Sequence, residues 1–183
     1  MTTSNKKKPT WTDLKRNLAD LDQHALLGLV QDLYAASKEN KVFLHARFGM
    51  GDDVLEPYKA TISRWVCPDV MRNQDYSVSK AKKAISDYKK AVGHSEGLAE
   101  LSVLYCESCR DFLGFCSVDD EGFFNALVRM FEQALKCIRQ LDAGQQEQYL
   151  ERLDSVHYEA DDWGWGVGED MDDLMAEYGF GKQ

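Results

Sequence analysis

A chain of 183 residues, 44% hydrophobic and 29% charged, is long enough for one domain with a sizeable core and has the balance of an ordinary globular protein. No apolar run approaches the ~18 residues of a membrane span. Lys6, Lys7 and Lys8 are followed by no apolar signal segment, so the expected address is the cytoplasm, where an odd set of five cysteines would stay reduced.

Residues 1–10 are polar and lysine-rich, and read as a disordered basic arm ahead of a single helical domain over 11–183. From there the apolar spacing is helical almost throughout. Leu14, Leu18 and Leu21 form a short first stripe. Asp22 suits the cap of a second helix with an apolar face of Leu26, Leu29, Val30, Leu33 and Tyr34. A third apolar run, 42–48, stops at Gly49. Asp53 and Glu56 have the spacing of a capping box, and Pro57 suits a first turn. The fourth helix then shows Leu55, Tyr58, Ile62 and Trp65 on one side and ends at Cys67-Pro68.

Ser79 is expected to open the next helix, with Ala81, Ala84, Ile85 and Tyr88 inside and Lys80, Lys82, Lys83, Lys89 and Lys90 outside. After Gly93, Ser95 is the expected cap of the most apolar helix, which carries Leu98, Leu101, Tyr105, Cys109, Phe112 and Cys116. Its remaining sides are also rich in apolar residues, which predicts a central position. Asp119 or Asp120 caps a helix containing Phe123, Leu127, Phe131, Leu135 and Ile138. Asp142-Ala143-Gly144 makes a turn into a more polar helix with Leu150, Leu153 and Val156. A Trp/Gly turn and a short last helix with Met171, Leu174 and Met175 follow. With no strand pattern, the expected fold is all-α: a compact bundle of about eight mostly antiparallel helices.

The segment Ser79-Lys-Ala-Lys-Lys-Ala-Ile-Ser-Asp-Tyr-Lys-Lys, the helix over 101–116 and the Trp/Gly tail together resemble a family of small bacterial helical proteins known only as a domain of unknown function. The resemblance spans 14–178; it implies an all-helical fold and brings no activity with it. The stretch 123–138 also resembles one helix of a tetratricopeptide-type hairpin, although no period of about 34 residues is found.

Candidate chemistry is sparse. Cys106-x-x-Cys109 with Cys116 has the elements of a zinc or redox site, but the pair falls inside an apolar helix. Buried small side chains are the plainer reading, with a thiol-based zinc or redox protein as an alternative. His24, His45, His94 and His157 form no ligand spacing. Gly164-x-Gly166-x-Gly168 follows no strand and is crowded by acids, which argues against a phosphate loop. No catalytic residue, metal or cofactor is expected.

The charge is polarised. Up to Val92, 16 Lys/Arg stand against 11 Asp/Glu, a net +5; from Gly93, 6 stand against 20, a net −14. Its acidic extreme is Trp163-Gly164-Trp165-Gly166-Val167-Gly168, flanked by Asp161, Asp162, Glu169, Asp170, Asp172 and Asp173. The tryptophans are expected to close the end of the bundle while the acids form a surface. The alternative is a docking lip of aromatic anchors ringed by acids. The sequence thus points to a non-enzymatic interaction module, an accessory or regulatory subunit of a larger bacterial assembly with a basic protein partner. The competing reading is a nucleic-acid-associated regulator using the lysine-rich helix over 80–90 and the N-terminal lysines. The acids could also pair with that helix within the chain.

Overall fold

The computed structural model describes residues 8–181 and is all-helical, with nine α-helices and two 3₁₀ turns among those residues. They fall into two units, Met1–Leu44 and His45–Gln183. Lys6 and Lys7 lie outside the described residues, and Lys8 is exposed.

In the first unit, α1 (Trp11–Ala19) begins with a capping box: the Thr10 hydroxyl accepts from the Asp13 N–H, and the Asp13 carboxylate accepts from the Thr10 N–H. Asp22 caps α2 (Gln23–Ala36) as expected, accepting from the Ala25 N–H at 2.7 Å. Neither helix contains a buried residue. The stripe from Leu26 to Tyr34, expected to face a core, is exposed. Ser37 turns extended and opens α3 (Lys38–Arg47), which crosses the boundary between the units.

The second unit is built around α6 (Ser95–Leu113). Its apolar residues occupy nearly the whole girth, and Leu98, Leu101, Val103, Tyr105, Cys106, Cys109 and Phe112 are all buried. It packs against α4 (Glu56–Val66), α5 (Val78–Ala91), α7 (Glu121–Ile138) and α8 (Ala143–Ala160), which confirms the expected central position. The last helix, α9 (Val167–Glu177), packs on α7 and α8.

Several local expectations change. Leu55, not Asp53, stands at the N-cap of α4 without a side-chain cap; Asp53 instead accepts from the Leu55 N–H at 2.7 Å in the preceding turn. The cap position of α5 is Ser77 rather than Ser79. That of α6 is His94, and the Ser95 hydroxyl donates to Gln140 at 2.6 Å. Asp120 caps α7, and Asp142 caps α8. Cys116 lies beyond the end of α6. Trp65 is only half-buried, covered by the Arg64 guanidinium at 4.4 Å and the Lys80 ammonium at 3.6 Å from its ring centre.

Candidate protein-interaction surface

The C-terminal turn is shaped by glycine. After the 3₁₀ turn Asp161–Trp163, three consecutive residues have positive φ: Gly164 at 72°, Trp165 at 57° and Gly166 at 71°. Glycine adopts this region freely, whereas for tryptophan it costs roughly 1–2 kcal/mol. Gly168 is needed for a different reason. A Cβ there would lie 3.0 Å from Asp161 Cγ and 3.1 Å from its backbone nitrogen, so the close approach of α9 to the preceding turn requires glycine.

The two indoles therefore diverge. Trp163 is half-buried, whereas Trp165 remains 53% exposed, so it does not close the core as expected. Val167, Met171 and Met175 fill that position instead. Trp165 stacks on Phe124 with ring centroids 6.1 Å apart and planes 23° from parallel. Phe124 meets Phe123 edge-on, and Phe123 contacts Phe112 and Tyr76. Trp165 is thus the exposed end of an aromatic ladder rooted in the core. At the ladder's other end the Tyr76 hydroxyl donates to Asp120 at 2.8 Å. That bond holds the Asp120 carboxyl below the usual carboxylate range.

On either side of the turn in the chain, Asp161, Asp162, Glu169, Asp170, Asp172 and Asp173 are all exposed. Asp172 contacts His157 Nε2 at 2.9 Å. Asp170 and Asp173 also line a shallow groove of about 260 Å³ between α7 and α9, with Val128, Arg129, Glu132, Leu174 and Glu177.

The five lysines of α5 are exposed as expected, and three of them have partners on or near the helix. Lys80 covers Trp65, while Lys83 and Lys90 pair with Asp87. Among the described residues, no α5 lysine pairs with an acid of 159–173. The reason lies in the packing: α5 rests on α4 and α6, whereas α9 rests on α7 and α8.

All five cysteines are free thiols. Cys106 and Cys109 are buried in α6, and burial pushes both thiols well above their ordinary range. Among the described residues, no three His, Cys, Asp or Glu side chains converge as a metal-holding group. A thiol reagent applied to the folded protein is expected to modify only Cys67 and Cys116, with Cys106, Cys109 and Cys137 reacting after denaturation. Mass spectrometry of the native and unfolded adducts checks this, and rapid native labelling of Cys106 would contradict it.

One polar constellation was missed by the sequence reading. Arg152 of α8 donates from Nε and Nη2 to the two Glu107 oxygens at 2.8 and 2.6 Å, and from Nη1 to Glu100 at 2.5 Å. Lys59 of α4 meets the other Glu100 oxygen at 3.1 Å. Glu100 and Glu107 stand two helical turns apart on one face of α6, a visible signal for paired acids. Their cationic partners come from distant segments and carried no local signal. The network ties α4, α6 and α8 together.

Compared with protein-family models, curated proteins and solved structures, the chain matches none of them. No helix of the described residues is long and apolar enough to cross a membrane.

Proposed function

We propose that this chain is a non-enzymatic protein–protein interaction module, an accessory or regulatory subunit of a cytoplasmic bacterial assembly. Its acidic C-terminal surface receives a protein with a basic face. The observation that carries the reading is Trp165. A large aromatic side chain is held half out of the protein in a left-handed conformation, backed by an aromatic ladder and flanked in the chain by exposed carboxylates. Strained, exposed residues persist where the surroundings over-determine them, and such sites are frequently functional. Aromatic anchors supply much of the energy at interfaces, while surrounding charge selects the partner and speeds encounter. The short links between α6, α7 and α8 favour antiparallel neighbours, a rigid scaffold for such a surface. The resemblance to small bacterial helical proteins adds no reaction to this reading.

Affinity capture from the encoding organism tests it. At about 50 mM salt the chain is expected to recover one stoichiometric basic protein, with recovery falling several-fold at about 300 mM as rim charges are screened. Recovery of no stoichiometric protein at either salt would overturn the proposal. A salt-sensitive complex with DNA or RNA instead of protein would favour the nucleic-acid reading.

A further inference from the structure

We propose that the shallow groove between α7 and α9 seats a short segment of the basic partner protein. An aliphatic side chain of that segment lies over Val128 and Leu174, and a Lys or Arg on either side of it meets the carboxylates of α9. This seat rests on the reading of the C-terminal surface as one that receives a basic protein, and it adds where the partner sits and what it must carry.

The groove is lined wholly by residues of the second unit. Trp165 stacks on Phe124 near the start of α7, and the Tyr178 hydroxyl donates to Glu132 at 3.1 Å, two turns further along that helix. The α9 helix therefore follows α7 in the same direction. Val128 stands one turn beyond Phe124 on the same side of α7, so the groove continues from the stacked indole. The Asp170 N–H donates to the Gly166 carbonyl at 3.0 Å, which joins the first turn of α9 to the backbone that carries Trp165. At the far end the Tyr178–Glu132 bond closes the groove.

Size and charge select the occupant. A volume of about 260 Å³ falls below the ~300–1,000 Å³ of small-molecule pockets, so the groove suits a few side chains of a larger partner. Asp170, Asp173 and Glu177 are three and four residues apart, which puts them on one side of α9 over a length of about 10 Å. All three are exposed, and among the described residues none of them makes an ion pair. Glu132 differs, because it already serves Lys136 and Tyr178. Carboxylates alone would only attract cations. The half-buried Val128 and Leu174 add an apolar floor that favours an aliphatic group between those cations. Arg129 lines the α7 side and, among the described residues, pairs with no acid. It repels a cation there, so the basic residues of the segment are confined to the α9 side. An acidic segment or a nucleic-acid phosphate would meet three carboxylates instead.

Fluorescence anisotropy with a fluorescein-labelled Lys-Lys-Leu-Lys-Lys peptide, at about 50 mM salt, tests the seat. Asp173→Lys reverses the charge at the centre of the acidic wall. Glu147→Lys makes the same change in net charge at an exposed position of α8 outside the groove. The full chain is expected to bind the peptide saturably below about 1 mM. Asp173→Lys is expected to weaken it at least about fivefold more than Glu147→Lys does, with Asp173→Asn in between and helicity unchanged in all three. Replacing the peptide's Leu with Gly is expected to weaken it about threefold or more. Equal weakening by Asp173→Lys and Glu147→Lys would overturn the seat, since binding would then follow net charge alone. A Gly peptide that binds as tightly as the Leu peptide, or a wild-type chain that binds neither, would overturn it too. Each of these failures leaves the acidic-surface reading standing where affinity capture still recovers a stoichiometric basic protein; no such protein at either salt overturns that reading and the seat together.

Discussion

Replacing Gly97 with alanine is expected to destabilise the protein by about 2–3 kcal/mol, although alanine is the better helix former by ~1 kcal/mol. Gly97 lies in α6 directly against Tyr88 of α5. A Cβ there would overlap Tyr88 Oη and lie 2.5 Å from Cζ. The Tyr88 ring has no room to retreat, because it is buried and meets Tyr58 of α4 edge-on at 5.4 Å. The substitution must therefore move α5 away from α6 or force Tyr88 out of its rotamer. Thermal unfolding is expected to shift down by roughly 5–10 °C. Adding Tyr88→Phe removes the nearest atom and is expected to recover part of that loss. A Gly97→Ala protein as stable as the wild type would show that α5 and α6 do not approach this closely.

Arg152→Ala is expected to cost a similar amount, about 2–3 kcal/mol at pH 7. The guanidinium satisfies two carboxylates that are both less than one-fifth exposed. Without it, Lys59 still serves Glu100, but Glu107 loses a bidentate partner while remaining half-buried. The cost sits below that of fully buried pairs because water still reaches Arg152, whose side chain is 32% exposed. The deficit has a pH signature. Burial alone would raise the Glu100 carboxyl, but hydrogen bonds and charge from Arg152 and Lys59 outweigh it and hold it below its ordinary range. A carboxylate lowered in the folded state adds stability above its unfolded pKa of about 4.3, and that stability fades as pH falls through the lower folded value. In Arg152→Ala, Glu100 keeps only Lys59 and loses the part of that lowering that Arg152 supplied. The gap between the two proteins is therefore expected to hold from pH 7 to about pH 5 and to narrow as pH falls below about 4.3, as measured by urea midpoints. A gap independent of pH would place the loss in packing, including the Arg152 contact over the Tyr149 ring.

Local chemistry was legible in part: Asp53, Ser79 and Ser95 do not stand at the caps expected of them. Asp22 and Asp120 cap the helices they precede, because a carboxylate reaching two or three residues ahead needs only the next turn of chain. The apolar girth of α6 foretold its central position. Features that depended on tertiary docking were not legible. Arg152 finds Glu107 and Glu100 across separations of 45 and 52 residues. The α2 stripe illustrates a deeper ambiguity: helical apolar spacing marks a surface to be covered, but not what covers it. The C-terminal turn was partly readable. Its glycines and acids announced an unusual surface, but the positive φ of Trp165 and its stacking on Phe124 decided which indole turns outward.

Two indoles two residues apart thus meet different environments, and the proposed interaction rests on the outer one. The most direct test compares wild type with Trp165→Ala by affinity capture at about 50 mM salt. The substitution removes a partly exposed side chain and its stack on Phe124, so it is expected to cost at most about 2 kcal/mol and leave the protein folded at room temperature. Trp165→Ala is expected to keep its helical content but to lose at least about tenfold in recovery of the basic partner. Equal recovery by the two folded proteins would contradict it.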